Sequence, residues 1–127
     1  MEGKPANIRT YRDLLVWQRA MEMAEVVYRA TDAFEGGERF NLVGQMRRAG
    51  VSVASNIAEG FGRGRRPEFQ RYLEIARGSL LELQTQAELG RRLGRLRGKM
   101  LADLRERTQE VDRLLSGLLR SVRRRPC

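Results

Sequence analysis

The sequence predicts an all-α protein built as an antiparallel up-down four-helix bundle. In four segments of roughly 20 residues, apolar side chains recur at three- and four-residue spacing. Short stretches that contain glycine separate these segments, and no sustained alternation of apolar and polar residues predicts a strand. Within the 127 residues we expect a flexible N-terminal arm over 1–12, the four-helix bundle over 13–122 and a basic C-terminal tail over 123–127.

The first helix is predicted to begin after Asp13, whose carboxylate suits an N-cap. The acidic stretch 32–38, which contains two consecutive glycines, should end this helix. The apolar positions at helical spacing, which we expect to face the core, are Leu14, Trp17, Met21, Ala24 and Tyr28.

The second helix is predicted over 39–59, and Gly60 should end it in the left-handed conformation. Its expected core positions are Leu42, Met46, Ala49, Val53 and Ile57. A separate row of side chains, the polar stripe, consists of Gln45, Arg48, Ser52, Ser55, Asn56 and Glu59. Serine and asparagine are poor helix formers, so their place in mid-helix suggests packing or hydrogen bonds to a partner. We expect an ion pair for Arg48, whereas Arg47 could equally contact nucleic acid or another helix.

The third helix has the most regular pattern. Pro67 suits its first turn, where a missing backbone donor costs little. A coiled-coil-like seam with strict four-three alternation runs through Phe69, Leu73, Ala76, Leu80, Leu83, Ala87 and Gly90. Gly94 and Gly98 bracket the next turn. The fourth helix repeats the rhythm with Leu101, Leu104, Thr108, Val111, Leu115, Leu118 and Val122.

The charge of the chain is strongly basic and unevenly distributed. The 25 lysines and arginines and 16 acidic residues give a formal charge of +9. Residues 1–62 carry eight groups of each sign, so the whole excess lies in residues 63–127. Such a balance favours a polyanionic partner, most often nucleic acid and less often a membrane surface. The alternative is that the arginines, 23 of the 25 basic residues, merely solvate helix faces.

In an up-down bundle the N-terminal arm, the second connection and the end of the fourth helix lie at one end. Arginine suits phosphate because its planar guanidinium donates paired hydrogen bonds. No base-reading motif is visible, so we expect contacts to the nucleic-acid backbone or its shape. The candidate nucleic-acid-binding residues, which we call the arginine pole, are Arg9, Arg12, Arg63, Arg65, Arg66, Arg120, Arg123, Arg124 and Arg125. The other end receives five basic residues and the acidic first connection, so the arginine pole should be the more positive.

The composition argues against an enzyme, a metal site and a cofactor. The chain has no histidine, which is the commonest general base and metal ligand. Ser52 and Ser55 therefore have no partner of the usual kind to activate them. The single cysteine, Cys127, cannot form an intrachain disulfide. We see neither a membrane-spanning apolar stretch nor a signal peptide, and we expect a cytoplasmic protein.

Several segments together resemble a known bacterial family. Residues 45–60, QMRRAGVSVASNIAEG, are followed by a Gly-Arg pair at 62–63, a Glu-Phe pair at 68–69 and IARGSLLEL at 75–83. This combination is similar to the four-helix bundle proteins encoded in intervening sequences of large-subunit ribosomal RNA genes. The resemblance covers about residues 11–95.

The resemblance implies a bundle that assembles into a pentameric, barrel-like ring. One branch of the family comprises accessory variability proteins of diversity-generating retroelements, which bind RNA and a reverse transcriptase. The family offers no catalytic residues. It implies helix or subunit contacts at Gln45, Arg48, Ser52, Asn56, Glu59, Gly78, Ser79 and Glu82.

Two interpretations of function remain open from the sequence. The first is a non-enzymatic, oligomeric protein that binds RNA or DNA, as an accessory factor of a reverse transcriptase; the basic C-terminal third favours it. The second is a structural ring that contacts only protein.

Overall fold

The computed structural model describes residues 7–34 and 41–124, and the side chains up to Arg123. A 3₁₀ turn, Tyr11–Asp13, precedes four helices: α1 (Leu15–Asp32), α2 (Leu42–Gly62), α3 (Arg66–Arg92) and α4 (Gly98–Arg124). No strand occurs within these ranges. Each helix packs against the next, and α4 packs back against α1. The prediction of an all-helical chain with four helices is confirmed.

Ion pairs between helices show that neighbouring helices run in opposite directions. On α1, Arg19 Nε lies 3.1 Å from Glu110 Oε2, and Glu22 Oε1 lies 2.9 Å from Arg107 Nη1. Later residues of α1 therefore meet earlier residues of α4. The same reversal relates α3 to α4 in the pairs Glu74–Arg123 and Glu88–Arg105.

The core is aliphatic and follows the predicted seam of α3 closely. The fully buried seam positions of α3 are Leu73, Ala76, Leu80 and Leu83, while Phe69 packs on the edge of the core. On α4, Leu104, Val111 and Leu115 are fully buried. The buried Thr108 satisfies its hydroxyl within the helix, because its Oγ1 donates to the Arg105 carbonyl oxygen at 3.0 Å.

The predicted core face of α1 is wrong at two positions. Met21 is 39% exposed and Tyr28 is 45% exposed. The helix instead buries a neighbouring row that consists of Val16, Ala20, Met23, Val27 and Ala30. Small side chains on this row allow close packing. A Cβ on Gly50 of α2 would lie only 3.5 Å from Val27 Cγ2.

Asp13 does not cap α1, contrary to the prediction. Its Oδ2 accepts hydrogen bonds from the backbone N–H groups of Arg9 (2.8 Å) and Thr10 (3.1 Å), while Thr10 Oγ1 accepts one from the Arg12 N–H (3.1 Å). These bonds form a capping box around the 3₁₀ turn, and α1 starts after it without a side-chain cap. Ile8 and Tyr11 pack on the core, so any loose arm must end before this turn.

Gly60 does not end α2, which continues to Gly62. Gly60 is buried where α2 and α3 approach each other, and a Cβ at this position would lie 2.6 Å from Tyr72 Cβ and 3.2 Å from Phe69 Cδ1. Gly64, with a φ of 78°, supplies the left-handed conformation. Gly60 is therefore required for close packing of two helices.

The other end of the core is closed by two loop residues. Phe34 and Leu96 are each 1% exposed. Both lie against Gly90 of α3, where a Cβ would be 3.4 Å from Leu96 Cβ and 3.5 Å from Phe34 Cζ. The α3–α4 turn that carries Leu96 has left-handed glycines at 94 and 98, as predicted for a turn bracketed by glycine.

We expect Gly60→Ala to destabilise the protein by about 1–3 kcal/mol, because the added methyl group meets the root of the Tyr72 side chain rather than a flexible end. Chemical denaturation followed by circular dichroism measures this free energy. Gly62→Ala is the matched control, since nothing lies within 4 Å of its Cβ position and alanine favours a helix by up to about 1 kcal/mol. Equal stabilities of the two variants would contradict the packing role of Gly60.

Candidate nucleic-acid interface

The N-terminal segment, the α2–α3 turn and the last turns of α4 meet at one end of the bundle. An open groove of about 520 Å³ lies between them, which we call the phenylalanine groove. Its walls include Ile8 before α1, Phe61 and Phe69 beside the turn, and Leu118 and Val122 on α4. The fold thus brings together the three segments that carry the arginine pole.

Arg65 and Arg66 lie on the rim of this groove. Gly64 reverses the chain with its positive φ, and Arg65 follows in an extended conformation as the N-cap of α3, with no side-chain cap bond. Pro67 occupies the first turn of α3, as predicted. The Arg65 side chain is exposed and forms no ion pair with a described residue, so its guanidinium is available to an anion.

Arg63 is held by side chains of its own chain. Its Nη2 donates to Glu59 Oε2 at 2.8 Å and to the Tyr72 hydroxyl oxygen at 2.9 Å, and its Cζ lies 5.2 Å from the Tyr72 ring centroid. The hydrogen bond to Glu59 is the main cause that raises the pKa of Arg63. Glu59 thereby offsets part of the positive charge at the turn. The sequence analysis did not identify Tyr72, which lies outside the α3 seam.

Arg9 and Arg12 lie beside the capping box of the 3₁₀ turn. The guanidinium carbon of Arg12 lies 5.4 Å from the Tyr11 ring centroid and 5.7 Å from that of Trp17. Neither arginine forms an ion pair with a described side chain. Asp13 is the nearest acid in sequence, and its pKa is lowered mainly by the backbone hydrogen bond from Arg9 and then by that from Thr10. Both guanidinium groups therefore remain exposed to solvent.

The end of α4 contributes Arg120 and Arg123. Arg123 Nη2 lies 2.9 Å from Glu74 Oε2 on α3, so this arginine ties the two helices together. The hydrogen bond from Gln70, followed by that from Arg123, lowers the pKa of Glu74. Arg120 is exposed and has no ion-pair partner among the described residues. The Arg124 side chain and the whole of Arg125 lie outside the described residues.

At the opposite end of the bundle, three arginines surround the carboxylate of Glu88. Glu88 accepts hydrogen bonds from Arg91 at 2.8 Å and Arg92 at 2.9 Å, and lies 3.6 Å from Arg105. Hydrogen bonds from Arg91 and then Arg92 lower the pKa of Glu88 to about 2. At the arginine pole, Arg9, Arg12, Arg65 and Arg120 form no ion pair with a described residue, although the charge of Arg9 contributes to the lowered pKa of Asp13. The relative charge of the two ends remains a prediction.

The polar stripe of α2 divides into an inner and an outer part. Ser52 Oγ lies 2.8 Å from Ser79 Oγ on α3, and Asn56 Nδ2 donates to the Ser52 carbonyl oxygen and Oγ at 2.9 and 3.0 Å. The Ser52–Ser79 hydrogen bond connects α2 to α3 within one subunit, and Asn56 holds Ser52 from the same helix. The other expected contact residues, Gln45, Arg48, Glu59, Gly78 and Glu82, are exposed.

The ion pair expected for Arg48 is made by its neighbour. Arg47 Nη2 lies 2.9 Å from Asp32 Oδ1 on α1, its Nε donates to Thr31 Oγ1 at 2.9 Å, and its guanidinium carbon lies 4.5 Å from the Tyr28 ring centroid. Arg48 is exposed and has no ion-pair partner among the described residues. The prediction failed because successive residues on a helix differ by about 100° in direction, and Asp32 lies on the side of Arg47.

Apolar side chains are exposed on both sides of α2. Met21, Tyr28 and Val51 line a groove of about 600 Å³ between α1 and α2. Leu81 and Leu89 line a groove of about 460 Å³ between α2 and α3. Within the described ranges, α4 has no large apolar side chain exposed to this degree. We call these exposed apolar side chains on the two sides of α2, namely Met21, Tyr28, Val51, Leu81 and Leu89, the apolar belt. The sequence analysis did not predict it, because it placed Met21 and Tyr28 in the core.

Across residues 7–34 and 41–124, no cluster of three or more cysteine and acidic side chains could hold a metal ion. Over the same ranges, no helix is both long and apolar enough to cross a membrane.

Comparison with solved structures shows a similar fold in another protein. A crystal structure of a protein of unknown function from the S23 ribosomal protein family of Bacteroides thetaiotaomicron superimposes with a TM-score of 0.75. The superposition covers 84% of this chain and 96% of the other, with 22% sequence identity. A search of curated protein sequences found no significant match.

A family profile described as 23S rRNA-intervening sequence protein matches residues 12–117. This range contains the whole of α1, α2 and α3 and most of α4. It leaves out Tyr11, the first residue of the 3₁₀ turn, and the last two turns of α4. The match covers most of the 127 residues and agrees with the resemblance carried by the segments 45–60 and 75–83. The chain therefore belongs to the 23S rRNA-intervening sequence protein family.

Proposed function

We propose that this protein is a non-enzymatic, oligomeric, cytoplasmic protein that binds RNA or DNA through the arginine pole. The observation that carries the proposal is the convergence of three chain segments at this end of the bundle. They present Arg9, Arg12, Arg65 and Arg120 as exposed arginines that form no ion pair with a described residue. Four such groups suit the regularly spaced phosphates of a nucleic acid, because each can donate paired hydrogen bonds.

The oligomer in this proposal is a pentameric ring. Support comes from the apolar belt, since large apolar side chains exposed next to one another on a surface mark an interaction site. The groove between α1 and α2 is lined by different residues from the one between α2 and α3. Two different surfaces favour head-to-tail contacts, which form a ring when the rotation from one subunit to the next closes. The resemblance to ring-forming relatives gives the number five, and its retroelement branch suggests a reverse transcriptase as the protein partner.

The second candidate function is a structural ring that contacts only protein. Two observations favour it. The apolar belt provides contact surface without any role for nucleic acid. In addition, Glu59 and Glu74 already pair with two members of the arginine pole, Arg63 and Arg123, within the subunit. Nucleic-acid binding and its dependence on the exposed arginines distinguish the two functions.

We expect the affinity for a single-stranded RNA to fall steeply between about 50 and about 200 mM salt, because each neutralised phosphate releases condensed counterions. The slope of the logarithm of the affinity against the logarithm of the salt concentration should be about −0.7 for each phosphate contacted. Fluorescence anisotropy with a labelled RNA measures it. Binding that is absent at low salt, or independent of salt, would refute the proposed interface.

We expect the double variant Arg65→Glu with Arg120→Glu to lose most of this binding and to reduce the salt slope by about 0.7 for each arginine that contacts a phosphate. The same change of net charge at Arg97→Glu with Arg113→Glu is the control. Those two arginines are also exposed and lack a described acidic partner, but they lie outside the arginine pole. An equal loss in both double variants would indicate general charge attraction, and no loss in either would favour the structural ring.

We expect the wild-type protein to be a pentamer at micromolar concentration and Val51→Glu to dissociate it. Val51 is 43% exposed in the subunit, so a carboxylate there is solvated in a monomer but would be buried without a partner in the ring. Ala102→Glu on the exposed side of α4 should leave the assembly intact. Light scattering coupled to size-exclusion chromatography measures the mass; a monomeric wild-type protein would exclude the ring.

A further inference from the structure

The phenylalanine groove has a chemical character that phosphate binding alone does not require. Phe61 and Phe69 lie in its wall with ring centroids 5.9 Å apart and ring planes at 77°. Both rings are half-buried, so each packs on the core and still contributes surface to the groove. An edge-to-face pair of this kind holds two aromatic surfaces in fixed positions.

The rim of the groove is positively charged, and its wall is apolar apart from one hydroxyl. Arg65 and Arg66 lie at the opening, while Ser121 of α4 is half-buried and makes no described hydrogen bond. No carboxylate lines this groove, whereas Glu25 or Glu82 lines each of three other large grooves on the described surface. An anionic ligand with an aromatic part fits this combination better than a cationic or purely apolar one.

We propose that the phenylalanine groove holds one unstacked base of a single-stranded nucleic acid, while the adjoining phosphates lie on Arg65 and the neighbouring arginines. This inference rests on the proposed nucleic-acid binding and names the class of nucleic acid: single strands or unpaired loops. Bases freed from a helix stack on aromatic rings and guanidinium planes, and such stacking tolerates different sequences. The volume of about 520 Å³ lies within the range of pockets for small ligands.

The geometry also excludes a continuous duplex from this role. In a duplex the base faces are covered by their neighbours, so a pocket that takes a base must receive a strand that exposes one. The groove is formed by three separate segments around the α2–α3 turn, and Leu118 and Val122 of α4 belong to its wall. It therefore suits a base that has left its stack rather than a base pair within a duplex.

A comparison of two strands tests the proposal on the wild-type protein. The probes are a labelled DNA strand of about 12 nucleotides and a strand with the same number of phosphates in which every base is absent. Stacking of one base predicts that the strand with bases binds roughly 5- to 150-fold more tightly at the same salt concentration. Fluorescence anisotropy gives both affinities.

Two variants test whether the phenylalanine groove causes the difference in affinity between the strand with bases and the strand without them. Phe61→Leu removes an aromatic ring but keeps an apolar side chain, and Ser121→Leu narrows the groove without altering the core. Both should bring the ratio of the two affinities towards one, while the affinity for the strand without bases and the salt slope stay unchanged. Ala102→Leu, on the exposed side of α4, is the control and should keep the ratio. If the Phe61→Leu variant unfolds at a much lower temperature than the wild-type protein, the affinity ratio of the Ser121→Leu variant tests the proposal alone.

Each other outcome overturns a defined part of the proposal. Equal wild-type affinity for the two strands would remove the inserted base and leave phosphate binding intact. A ratio that persists in both groove variants would place the base elsewhere. If the wild-type protein bound neither strand at low salt, the proposed function itself would be wrong, and the inference would fall with it.

Discussion

The close approach of α2 and α3 is the constraint on which the rest of this structure depends. Gly60 allows it at one end by leaving out a side chain beside Tyr72, and the Ser52–Ser79 hydrogen bond fixes it near the middle. Because the two helices are held so near, the turn between them is short and places Arg65 beside the end of α4. The candidate interface is thus a consequence of helix packing that glycine and serine make possible.

The sequence predicted the fold well where one periodic row of apolar residues stood alone. The seam of α3 was unambiguous because its four-three spacing is unbroken from Phe69 to Gly90, whereas the apolar residues outside it, Ile75, Leu81 and Leu89, form no second row of that length. α1 carries two overlapping rows, and spacing cannot decide between them; in the structure the row with Ala20, Met23 and Val27 packs into the core, and Met21 and Tyr28 stay exposed. Phe34 and Leu96 could not be predicted as core residues, since loop positions lack a period.

The location of the candidate site followed from topology, but its electrostatics did not. An up-down bundle places alternate connections at the same end, which was enough to group the arginines. Which of them are neutralised depends on side chains of neighbouring helices: Glu74 reaches Arg123 across the α3–α4 contact, and Asp32 reaches Arg47 rather than Arg48. Differences of one residue in register decide such pairs, and sequence alone leaves that register open.

The exposed side of α4 carries charged and small side chains and none of the large apolar ones that surround α2. Substitutions at exposed positions without specific contacts change stability little, usually within about 0.5 kcal/mol. Exposed positions of α4 that make no ion pair and lie outside the arginine pole, such as Ala102 and Gln109, can therefore change during evolution while the buried seam stays fixed. α2 has fewer such positions, because it packs against both α1 and α3 and also carries part of the apolar belt. The bundle thus separates a helix face that tolerates substitution from a helix that tolerates little.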